Sequence, residues 1–113
     1  MALALNVFRT ITKVVTTNPV GIYTAPVGYT GVLLLSQATN VTPNSLDISA
    51  DHVRKKAGIA ITTELLKKFP ISGYDSVSIT NGKLILESGD TIKISANTNN
   101  DIKIVLSILE TLN

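Results

Sequence analysis

Apolar residues fall at every second position through Thr91-Ile92-Lys93-Ile94-Ser95-Ala96, and again at Ile102, Ile104, Leu106 and Ile108. A two-residue period belongs to a strand with one dry and one wet face, and a helix cannot satisfy it. In the second segment Asp101, Lys103 and Ser107 point away from the isoleucines, but Val105 and Leu109 break the polarity of that face. A strand apolar on both faces is expected to be central in its sheet or covered by another subunit. The Asn97-Thr98-Asn99-Asn100 cluster between the two segments tolerates positive φ and marks a turn.

Upstream, Lys83-Leu84-Ile85-Leu86-Glu87 reads as a further short strand, joined to the next by a hairpin-type connection at Ser88-Gly89-Asp90. Asn81-Gly82 is the strongest two-residue signal for a type I′ turn, with Ser76 to Thr80 as the strand feeding it. Four consecutive strands are therefore expected from about residue 74 onward. The first half is less regular. Asn6 to Thr17 reads as a long strand broken by Asn18-Pro19, and Ile22-Tyr23-Thr24 as a short one stopped by Ala25-Pro26. Tyr29 to Thr39 holds a continuous apolar run, suited to a strand buried on both faces. Asn40 to Asn44 reads as a loop, and Leu46, Ile48 and Ala50 alternate as another strand. Residues 59 to 69 fit either a strand or one face of a short helix capped by Thr62 or Thr63. The β-rich surroundings favour the strand.

Eight or nine short strands with turn signals at roughly 8–14-residue spacing predict an all-β, two-sheet antiparallel sandwich, with the jelly roll among its arrangements. The 113 residues fit one domain spanning 1–113, without linker or repeat. Charged residues are 16% of the chain against about 25% in a typical soluble domain, and mean hydropathy is +0.31. Surface must then be built from Ser, Thr and Asn or buried against neighbours. A net charge of +2 gives no nucleic-acid footprint, and Arg54-Lys55-Lys56 and Lys67-Lys68 read as solvated turns or strand ends. No apolar run approaches the ~20 residues of a membrane helix, and Met-Ala-Leu-Ala-Leu-Asn lacks the pattern of a secretory signal. The absence of cysteine excludes disulfides and thiolate sites and suits a reducing cytosol. Asn40-Val41-Thr42 matches a glycosylation acceptor by chance, given no signal peptide.

Chemistry is hard to assemble from this inventory. His52, the one histidine, reads as a surface or rim residue, since a metal site needs several converging ligands. The carboxylates Asp47, Asp51, Glu64, Asp75, Glu87, Asp90, Asp101 and Glu110 show no pairing of the glycosidase kind. Glu87 and Asp90 lack the dense ligand series of a calcium loop. Gly28-Tyr29-Thr30-Gly31 opens a strand and not a helix, which excludes a phosphate cradle. Tyr23 and Tyr29 flank Pro26 and Gly28 and are expected to brace that corner. The predicted catalytic, cofactor-binding and metal residues are none.

The segment Ile22-Tyr23-Thr24-Ala25-Pro26-Val27-Gly28-Tyr29-Thr30-Gly31-Val32-Leu33-Leu34 resembles the "(V/I)YTAP-x-GYT" entry of small virion proteins of tailed bacteriophages, frequent in marine T4-like phages and those infecting cyanobacteria. Gly82 to Ala96 is similar to their "GKLVLE-x-GD-x-(L/I)-x-(V/I)-SA" hairpin, and Ser107-Ile108-Leu109-Glu110 to their "SILE" terminus. The matches cover residues 22–34 and 82–110, and Arg54 to Phe69 departs from the pattern. The resemblance implies a virion component. Taken with the low charge, the absent chemistry and the two-faced last strand, it leads to the expectation of a non-enzymatic subunit, made in the host cytoplasm, that forms homo-oligomers and docks on capsid, neck or tail proteins, with no cofactor, nucleic-acid or membrane partner. The alternative is a fibre or decoration module that binds a host-surface glycan, and a degenerate sugar-modifying enzyme comes third.

Overall fold

The structure is a computed structural model and describes residues 5–113; the N-terminal residues read above for a signal fall largely outside it. Nine strands follow in order: β1 (Asn6–Val14), β2 (Val20–Thr24), β3 (Tyr29–Asn40), β4 (Leu46–Lys56), β5 (Ile59–Ile71), β6 (Ser76–Ser78), β7 (Leu84–Leu86), β8 (Thr91–Ala96) and β9 (Ile102–Leu112). The ambiguous residues 59–69 are strand, all within β5.

The strands form two antiparallel sheets. One runs β1-β9-β3-β6 with β7 also on β3, and the other runs β2-β8-β4-β5. β6 and β7 pair with successive stretches of β3, Gln37–Thr39 and Gly31–Leu33, so together they make one interrupted edge strand. With those two counted as one, the strands take the order of a jelly roll, the chain changing sheets at every connection except the β4–β5 hairpin. Inward side chains of both sheets make the core, including Leu33, Ile48, Leu86, Ile92, Ile94, Ile102, Leu106 and Ile108.

Several local expectations are corrected by this topology. Asn81-Gly82 makes no hairpin, because β6 and β7 both lie along β3; between them Ile79 stays buried with its N–H on Ser36 C=O, and residues 80–83 link it to β7. Ser88-Gly89-Asp90 carries the chain from one sheet to the other, and so does Asn97–Asn100. The four expected strands from residue 74 therefore exist, but none pairs with its neighbour in sequence. The type I′ geometry sits instead at Ala57-Gly58, where φ is 52° and 80° and Lys56 faces Ile59. β3 is not buried on both faces. A register shift between Leu33 and Leu35 turns Leu34 and Leu35 outward, 38% and 45% exposed. β9 is central, between β1 and β3, the first of the two expected placements.

Candidate functional site

Two polar clusters and one sheet face stand out. In the first cluster, Glu110 is a carboxylate on the inward side of β9 and only 2% exposed. Tyr23, on β2 of the other sheet, donates from its hydroxyl to Glu110 Oε2 at 2.6 Å. Arg9 on edge strand β1 donates from Nε to Oε1 at 2.7 Å. Gly31 lies opposite Glu110 in register, and a Cβ there would sit 3.0 Å from the Tyr23 hydroxyl. Burial, then the hydrogen bond to Glu110, pushes the Tyr23 phenol well above its ordinary value. The bond to Glu110 and its charge also hold the Arg9 guanidinium up. With each carboxylate oxygen already engaged, this trio is a brace between the sheets.

The second cluster closes the far end of β4. His52 is not the rim residue expected at a strand end, because β4 continues four residues beyond it. Its Nε2 lies 3.1 Å from Asp90 Oδ2, and both side chains are largely buried. The same oxygen accepts from the Glu87 backbone N–H at 3.0 Å and lies 3.4 Å from Arg54 Nε. Asp90 thus bonds its own turn, as Asp in a turn commonly does. Arg54 also pairs with Glu87, and Lys56 Nζ reaches Glu87 Oε1 at 3.0 Å. The Lys56 bond first, and the Arg54 charge next, hold the Glu87 carboxyl below its ordinary range. The basic run 54–56 is a strand end, and it is tied to the β7–β8 turn through these pairs.

Among the described residues, no group of three His, Cys, Asp or Glu side chains could hold a metal ion. Nor, among those residues, is any helix long and apolar enough to cross a membrane. Tyr23 does more than brace a corner: it is 6% exposed and spans the core. Gly28 has φ 87° in the turn before β3, where Tyr29 N–H donates to Pro26 C=O at 3.0 Å. Lys67 and Lys68 lie exposed on edge strand β5.

The outward face of the five-stranded sheet is the feature that sequence reasoning only glimpsed, through Val105 and Leu109. Registers place its side chains in rows across the strands. One row is Phe8, Leu109, Val32 and Ile85, with Phe8 74% and Ile85 54% exposed. The next is Thr10, Ser107 and Leu35. Beyond it come Thr12, Val105, Gln37 and Ser78, then Val14, Lys103, Thr39 and Ser76. Lys103 is the one charged residue in these rows. The β1, β9 and β3 members of the last two rows, with Lys13 beside them, line a shallow hollow of about 560 Å³. The face therefore has an apolar ridge toward one end and a hollow toward the other.

No protein-family model matches the sequence, and no curated protein matches it. Among solved structures, a chain of the T13 IBDV viral particle is similar, with a TM-score of 0.58 at 8% sequence identity. The match covers 97% of this chain and 32% of that one, so this chain spans about a third of its length. That structure is described as revealing a missing link in the evolution of icosahedral viruses. At this identity the likeness is one of fold.

Proposed function

We propose that this chain is a non-enzymatic structural subunit of a virus particle, acting through contact surfaces and not through a reaction centre. The observation that carries the reading is the ridge-and-hollow face: apolar side chains such as Phe8 and Ile85 stand exposed on a regular sheet with one charge in its rows. Exposed apolar patches of this regularity mark surfaces that associate. The jelly-roll strand order and the similarity in fold to a chain of a viral particle support the same reading. The motif resemblance at residues 22–34 and 82–110 narrows the proposal to a tailed-bacteriophage virion, as a decoration, neck or tail subunit. The glycan-binding alternative would draw on exposed tyrosines; Tyr23 is instead spent inside the core on Glu110, which leaves Tyr74 as the strongly exposed one. The test is quantitative mass spectrometry of purified particles of the virus that encodes the chain. Recovery at a fixed ratio to the major capsid protein is expected. Its absence from particles, with abundance in the infected cell, overturns the proposal.

A further inference from the structure

We propose that a second copy of this chain docks face to face on the outer surface of the β1-β9-β3-β6/β7 sheet, about a two-fold axis running across the strands at the level of Thr10 and Ser107. The inference rests on the structural-subunit reading and names the surface through which subunits meet. Thr10 and Ser107 face one another in register midway between the ridge and the hollow. The ridge residue Phe8 and the hollow residue Thr12 lie four positions apart on β1, about 13 Å along the strand. Rotation by half a turn about that line places each copy's ridge over the other's hollow. A single face that carries both a projection and its receptacle is complementary to itself, as an isologous interface requires.

Charge points to the same occupant. A two-fold contact sets every charge near the axis against its own copy, so charge-rich faces repel themselves. Here the rows hold Lys103 alone, with Lys13 beside it at the hollow, and the rotation sends the two copies of each lysine to opposite ends of the contact. An acidic or basic partner would find little on this face to pair with. Four strand positions by nine residues of β9 make a face on the order of 600 Å². That approaches the roughly 800 Å² per partner of a standard interface.

The test combines sedimentation with cross-linking of the purified full chain. Phe8→Glu and Ile85→Glu alter exposed side chains, so both variants are expected to keep the wild-type circular dichroism and, at dilutions where all are monomeric, the wild-type melting temperature. Each is expected to weaken dimerisation about tenfold or more, while Lys67→Glu on the other sheet leaves it unchanged. The chain has no cysteine, so Thr10→Cys gives one thiol, which a short bis-maleimide should join to its own copy; Lys67→Cys should stay uncoupled. A wild-type chain monomeric at about 100 μM overturns the inference. So does a dimer indifferent to both Glu variants, or one that cross-links through Lys67→Cys instead. Particle composition decides separately whether the chain is a virion subunit, so the two proposals fail independently.

Discussion

Tyr23 crosses the core to Glu110 because Gly31, opposite Glu110, leaves room for its ring. Removing the hydroxyl strips one carboxylate oxygen of its donor inside the sandwich. Tyr23→Phe should therefore destabilise the protein by about 1–3 kcal/mol, read as a lowered urea midpoint at unchanged slope. The same residue sets an alkaline dependence. Its folded pKa is raised above the unfolded value near 10, so the native state retains a proton that the unfolded state has lost. Its contribution is complete below about pH 10 and declines as pH rises toward the folded value. Unfolding followed from pH 9 upward should show a shallower loss of stability in Tyr23→Phe than in wild type.

At the scale of elements, the β4–β5 hairpin extends past the last pairing of β4 with β8, at Val53 and Thr91. Beyond that point its two strands have only each other, an arrangement of marginal stability alone. Its turn places Ala57 at φ 52°, a left-handed conformation that Asn adopts far more readily. Ala57→Asn should stabilise by about 0.5–1 kcal/mol, visible as a raised melting temperature. The arm is also held by Lys56 and Arg54 on Glu87. Because that carboxyl is held down in the folded state, the pairing is intact above the unfolded Glu pKa of about 4.3 and is lost as pH falls through the folded value. Amides of residues 53–62 should exchange faster toward pH 3 relative to the core, and Glu87→Gln should produce faster relative exchange already at pH 6. Much of this layer was legible in advance: strand positions and the dry side of β9 follow from period and composition, while residues 59–69 fit strand or helix by period and only their β-rich surroundings favour the strand. Partnership was not. Asn81-Gly82 carries a hairpin signal, but a turn residue specifies only a local bend. Whether the flanking strands pair with each other or with β3 is decided by long-range register. Glu110 and His52 were illegible for a related reason. Their partners, Arg9 and Tyr23 for one and Asp90 for the other, lie 38 to 101 positions away in sequence.

For the molecule as a whole, the order in which strands join follows from the topology. Only β4 and β5 pair as neighbours in sequence; every other ladder closes a longer loop. β9 follows all its partners in the chain yet lies between β1 and β3, and its buried Ile102, Ile104, Leu106 and Ile108 line the middle of the core. Without it, β1 has no strand to pair with in its sheet, and β3 loses its longest ladder. The opposite sheet then has no complete layer to pack on. A chain ending at Asn100 should therefore fail to fold, with a far-ultraviolet spectrum lacking the strand signature and no cooperative melting. The missing piece is a strand whose ladder bonds and apolar face both await it, so a synthetic peptide of residues 101–113 should restore the spectrum when added in trans. Replacing Ile104 and Leu106 by Asp in that peptide buries charge without partners and should abolish the rescue. Cooperative folding of the shortened chain alone would show that the core is nucleated elsewhere and that β9 merely covers it. Such wholesale non-local pairing also predicts refolding of the intact chain in the millisecond-to-second range, slower than helical domains of its size.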